Sequence, residues 1–307
     1  MDVWKFFKAV FQRTNKNWKL ILVEFVSTLI MVPIILLGII IPVILIVIPA
    51  ATSGYEVEDF IPFIVHNLVF ILVGFLIFLI FLLASLVLWA FVSGGVRASL
   101  LENILKEKKF EFNTFIANGK KFFGRIVGLW ALTGLIFFAI FIILGGLGTL
   151  IFFLCFSLYE TSEVGAILIG VLSGFIIFIV YFVTAFLLGV FLTIANTYLI
   201  VEDAEVIPSM KGSIRFIKKY PGHTFLVVLF LFLIAFGVAF AYNLITIPVT
   251  MIPYVGAMFS FILAPVQMGI NLYLALFSIT AYFILYLWKK EKISSDFQTS
   301  TVPEKTM

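Results

Sequence analysis

Six stretches of this chain are long and apolar enough to cross a lipid bilayer, and they restrict its fold more than any other feature. They occupy roughly residues 20–50, 62–92, 126–157, 164–200, 224–252 and 255–288. A spanning helix needs only about 20 apolar residues. Inside hydrocarbon every backbone N–H and C=O must be satisfied by the chain itself, so each stretch is expected to be helical. The excess length predicts tilt, interfacial extensions or breaks without fixing an angle. Composition agrees: 63% of the residues are hydrophobic and 12% charged, against about 45–50% and about 25% in soluble domains. The expected fold class is all-α integral membrane, with six transmembrane helices and no room for a soluble enzyme domain. The first apolar stretch far exceeds the roughly 7–15 residues of a signal-peptide core, so it is expected to be retained.

Charge placement predicts orientation. Lys5, Lys8, Arg13, Lys16 and Lys19 precede the first stretch, and Arg97, Lys106, Lys108, Lys109, Lys120, Lys121 and Arg125 lie between the second and third. Lys211, Arg215, Lys218 and Lys219 lie between the fourth and fifth, and Lys289, Lys290, Lys292 and Lys305 follow the sixth. These are all 20 Lys and Arg of the chain. The alternate connections carry Glu56, Glu58, Asp59, Glu160 and Glu163 and no basic residue. Positive charge stays in the cytoplasm during insertion, so a multi-pass protein of the cell membrane with both termini inside is expected.

The chain also repeats with a period near 100 residues, over about 4–108, 109–205 and 206–293, before a polar tail at 294–307 that is expected to be disordered. Each unit opens with a basic, aromatic segment: WKFFKAVFQRTNKNWKLIL, FNTFIANGKKFFGRIVGLW and SMKGSIRFIKKYPGHTFLVVL. The expected architecture is therefore three repeats of amphipathic helix plus helical hairpin. In the third opening Met210, Ile214, Ile217 and Tyr220 recur at helical spacing; in the second, Phe115, Phe122 and Ile126 share a stripe with Gly119. Such helices either bury that stripe at the headgroup boundary with their cations facing anionic lipid, or simply cap the bundle. The lipid-contact candidates are Lys120, Lys121, Arg125, Lys211, Arg215, Lys218 and Lys219. Pro33, Pro42 and Pro49, then Gly145, Gly146 and Gly148, then Pro248 and Pro253 punctuate the outer half of each unit's first span. Proline removes a backbone donor, so kinks or half-helices are expected there. These either mark a binding site or are satisfied by neighbouring helices.

Within the spans, Glu24 is the one charged group expected, and it either snorkels to the interface or pairs with a basic residue. His66 and His223 fall on opposite faces, so no two-histidine metal site is expected from one subunit. Cys155 is the only cysteine and reads as an apolar filler. Neither a phosphate-binding glycine loop nor a serine nucleophile elbow is present. No catalytic residue, cofactor or nucleic-acid partner is expected. The intramembrane polar candidates are Tyr242, Asn243, Gln267 and Asn271, with Gln267 and Asn271 sharing a face at i,i+4. They serve helix-to-helix hydrogen bonding or line a small polar cavity.

The segments GKKFFGRIVGLW and MKGSIRFIKKYPGHTFLVVL, with LLENILKEKKFEF and LIVEDAEVIP after the even-numbered spans, resemble the membrane domain joined to some bacterial glycerophosphodiester phosphodiesterases and its stand-alone six-span relatives. The resemblance covers about residues 4–290 and leaves out the catalytic barrel, so it implies a membrane-bound, lipid-related role and no hydrolase activity. Two functions are expected from all this. One is a non-enzymatic protein that organises, senses or helps to move lipids or amphiphiles, with anionic headgroups as partners. The other is a permease subunit driven by a separate ATPase.

Overall fold

The computed structural model describes residues 2–53, 65–159, 161–252 and 255–291. The acidic positions at 56–59 and 160, Pro253 and the tail at 294–307 lie outside the described residues. The order is α1 Val3–Lys16, α2 Trp18–Ser53, α3 Leu68–Lys106, α4 Phe112–Tyr159, α5 Glu163–Val201, α6 Val206–Lys219, α7 Pro221–Thr250 and α8 Val255–Lys289. No strand occurs among the described residues. Six helices, α2 to α5, α7 and α8, are long and apolar enough to span a membrane.

Local chemistry sets the short helices. The Asp2 carboxylate accepts hydrogen bonds from the Trp4 and Lys5 backbone N–H groups at 3.1 and 3.2 Å, which caps α1 at its positive end. Asn17 ends it: its backbone N–H donates to the Thr14 carbonyl at 3.0 Å and its side-chain amide donates to the Arg13 carbonyl at 2.7 Å. Tyr220 plays the same part between α6 and α7, where Pro221 occupies the first helical position. Proline disfavours helical backbone in the residue before it and is well suited to begin the next helix. The first and third units thus have a separate 14-residue leading helix. In the second unit the leading segment is fused to its span in one 48-residue helix, α4.

At the described punctuated positions half-helices do not form, and the helices continue. α2 continues through Pro33 and Pro42, α4 through Gly145, Gly146 and Gly148, and α7 contains Pro248. A proline inside a helix leaves one carbonyl without its donor, whereas breaking the helix in hydrocarbon would strand several.

The core lies at the end of the bundle that carries the Lys and Arg residues, here the basic end. Ala90 to Ile104 of α3, Phe115 to Leu129 of α4, Ile194 to Ile200 of α5 and Leu276 to Leu287 of α8 supply most of the buried apolar side chains. Small residues let the backbones approach: a Cβ on Gly119 would lie 2.9 Å from the Phe91 ring and 3.1 Å from its carbonyl. Phe6 and Val10 of α1 and Phe216 of α6 form a second buried cluster with Tyr282 and Tyr286 at the same end. Toward the far end the close approaches join the arms of single hairpins, as in Gly74 to Pro42 at 3.4 Å and Gly170 to the Cys155 sulfur at 3.6 Å.

Candidate functional site

Charged and polar groups gather at the basic end and divide into paired and unpaired sets. The loop between α5 and α6 carries Asp203 in left-handed backbone at φ 50°. Its carboxylate accepts hydrogen bonds from Lys121 Nζ at 2.8 Å and Arg125 Nη1 at 2.7 Å. Arg125 Nε also lies 3.1 Å from Glu205 Oε1. The Lys121 hydrogen bond, helped by Arg125 and opposed by slight burial, holds the Asp203 carboxyl below its ordinary 3.8. Of the lipid-contact candidates, Lys121 and Arg125 are therefore committed to acidic groups of the protein itself. Lys120, Lys211, Arg215, Lys218 and Lys219 are exposed and make no ion pair among the described residues.

The faces of the leading segments also differ from the sequence-based expectation. α6 buries Ser209, Gly212, Ser213 and Phe216. Of the expected stripe, Ile214 is exposed, while Met210, Ile217 and Tyr220 are half-buried. The cause is aromatic packing: the Tyr198 ring fills the space over Gly212, and Phe216 meets the Tyr286 ring at 5.1 Å between centroids. In α4 the stripe Phe115, Gly119, Phe122 and Ile126 is buried as its spacing predicts. It faces Gly94 and Gly95 of α3 rather than the headgroup boundary.

A second shielded charged group escaped the sequence. Arg97 was assigned to a connection because the apolar run ends near residue 92. α3 instead continues to Lys106, its residues 92–96 buried in the core. Arg97 and Glu24 of α2 interact electrostatically without a direct ion pair within 4.0 Å. Glu24 Oε2 and Arg97 Nη1 are both closed to solvent and make no hydrogen bond. Arg97 Nε donates to Ser93 Oγ at 3.1 Å.

The intramembrane polar candidates are not brought into one cavity. The Tyr242 hydroxyl donates to the Leu263 carbonyl of α8 at 3.4 Å. Asn243, Gln267 and Asn271 are exposed on the outside of the bundle. No group of three or more His, Cys, Asp or Glu able to hold a metal occurs among the described residues. His223 lies instead beside Lys289, with Nε2 3.1 Å from its Nζ.

What sequence reasoning missed is a cleft of about 790 Å³ between α1, α7 and α8. Its walls include Phe7 and Phe11 of α1, Ile234 of α7, and Gly269, Ile270 and Leu274 of α8, with Lys8 at its edge. α1 serves two environments at once: Phe6, Val10 and Thr14 turn into the protein, while Trp4 is 79% and Phe11 52% exposed. The 4, 7, 8 and 11 spacing of Trp4, Phe7, Lys8 and Phe11 was the available signal.

Compared with protein-family models, curated proteins and solved structures, the chain matches none of them. Fold and composition together define a multi-pass, all-α membrane protein.

Proposed function

We propose that this is a non-enzymatic protein of the cell membrane that binds lipids or other amphiphiles and thereby organises, senses or helps to move them. The observation that carries the proposal is the apolar cleft beside α1. A cleft of this lining among membrane-spanning helices favours hydrocarbon over water, and Lys8 at its edge supplies a cation for an anionic headgroup. The unpaired cations of α6 add to the attraction, each contributing about 1 kcal/mol near an anionic surface. The one-sided placement of Lys and Arg supports a cytoplasmic basic end. The resemblance to the membrane domain of glycerophosphodiester phosphodiesterases points to the same lipid-related role.

Gly269 provides the test, because a Cβ there meets nothing within 4 Å. In Gly269→Phe the ring has room to enter the cleft without disturbing the backbone. A phospholipid with a photoreactive acyl chain, crosslinked to the reconstituted protein, should label α1, α7 and α8 around the cleft. The variant should lose most of that labelling while keeping its thermal stability. Equal labelling of the two proteins, or labelling spread evenly over α2 to α5, would contradict the proposal.

A further inference from the structure

The elbow between α1 and α2 forms a second recess, of about 480 Å³, whose walls include Arg13, Lys16, Trp18, Lys19, Glu107 and Lys109. We propose that this recess binds the phosphate of an anionic phospholipid.

Charge favours an anion. Four cations line the recess against one carboxylate, and the only ion pair there joins Arg13 Nη1 to Glu107 Oε1 at 3.5 Å among the described residues. That distance is too long for a good hydrogen bond. Arg13 Nη1 is closed to solvent and has no hydrogen-bond partner. The Arg13 side chain keeps 27% of its surface exposed, and a guanidinium matches phosphate geometry best.

The recess is also already shaped. Asn17 Nδ2 donates to Asn103 Oδ1 at 2.9 Å, and Asn103 Nδ2 donates to the Lys108 carbonyl at 2.8 Å. These bonds tie the elbow to the end of α3, where Glu107 takes left-handed backbone at φ 53° and turns the chain toward Lys109. Preorganisation of this kind lowers the ordering cost of binding.

Position identifies the source of the phosphate. Trp18, 53% exposed, stands at the start of α2, and Leu22, Val26 and Leu29 continue outward from it at 49%, 53% and 51% exposure. Trp favours the headgroup level, and the residues beyond it form an apolar track for acyl chains. A lipid phosphate in the recess has its chains against that track, which a soluble phosphate compound would leave unused. The site lies on residues other than the cleft and the α6 cations. It rests on the membrane-lipid reading only for the identity of the phosphate bearer.

The test uses the full-length protein, stripped of lipid in mild detergent and examined by native mass spectrometry with phosphatidylglycerol or phosphatidylcholine. Phosphatidylglycerol should be retained and phosphatidylcholine largely lost. The combined Lys16→Gln, Lys19→Gln and Lys109→Gln variant should bind phosphatidylglycerol about tenfold or more weakly. Lys16→Arg, Lys19→Arg and Lys109→Arg should restore binding. The comparison is made in the Gly269→Phe background, which blocks the cleft, so the loss read is that of the recess and failure here is separable from failure of the cleft. All three recess lysines are exposed, and thermal unfolding checks that the variant folds; single Lys109→Gln, outside any helix, is the fallback. Unchanged retention in the glutamine variant overturns the proposal. So does displacement of the lipid by millimolar inorganic phosphate, which would make the recess a site for a soluble anion.

Discussion

At the basic end Leu100 of α3, Ile126 of α4, Leu199 of α5 and Leu276 of α8 are fully buried, whereas toward the far end Phe152, Leu168, Phe175 and Ile245 are 56–73% exposed. Both groups are apolar, so hydrophobicity alone does not decide which side chains pack on protein. In lipid there is little hydrophobic gain from helix association, and contact must come from van der Waals packing and polar bonds. The basic end has both, in its close glycine approaches and in the Asp203 cluster. It also meets water, where burying apolar surface stabilises by about 25 cal/mol per Å². The far-end helices need only their hairpin partners, because lipid solvates the rest. One end is accordingly a shared core, and the other is a set of hairpins whose outer surfaces face hydrocarbon.

The largest expected effect concerns the shielded charges at the basic end. Arg97→Met leaves Glu24 without its opposing charge and should destabilise the protein by about 1–3 kcal/mol, measured by denaturation in detergent. Glu24→Gln should act similarly, and the double variant should lose clearly less than the sum. Strict additivity would show that the two groups do not act on each other, and would weaken the contrast between the ends.

A smaller effect is expected at the surface of the same core. Asp203→Asn should cost up to about 1 kcal/mol, since the ion pairs it removes are half-exposed and screened by salt. Because the Asp203 carboxyl titrates below 3.8 in the folded protein, its contribution is complete above that pH. It fades as pH falls through the lowered value. The stabilities of the Asp203→Asn variant and of the wild type should therefore converge in acid. A difference that persists undiminished at low pH would assign the effect to packing.

Much of this contrast was legible in residue spacing, and the reasons for the gaps are physical. The span at 164–200 anticipated Glu163–Val201 within a residue, because lipid-facing helices are apolar throughout. The span at 62–92 underestimated α3, since the residues after it are small and buried rather than lipophilic. The Phe115, Gly119, Phe122 and Ile126 stripe was visible, but one spacing serves equally for lipid and for a neighbouring helix. Glu24 was singled out, yet its opposing charge depended on how far α3 continues. The cleft depends on where α1 docks; the spacing of Trp4, Phe7, Lys8 and Phe11 marks a face of α1 but not the helices that face meets. Pro33, Pro42 and Gly146 left open whether α2 and α4 break or continue, because punctuation that breaks helices in water is tolerated in hydrocarbon.

The central claim, one packed end and one lipid-solvated end, is tested most directly by the same substitution at two glycines of α4. A Cβ at Gly119 would meet the Phe91 ring at 2.9 Å and the Phe91 carbonyl at 3.1 Å, whereas a Cβ at Gly146 meets nothing within 4 Å. Thermal unfolding of Gly119→Ala and Gly146→Ala, in one detergent and at one protein concentration, compares the ends without changing chemistry or helix. Gly119→Ala should destabilise by about 1–3 kcal/mol through overpacking. Gly146→Ala should be neutral, or stabilising by up to about 1 kcal/mol through helix propensity. Equal destabilisation at the two positions, or a larger loss at Gly146, would contradict the account.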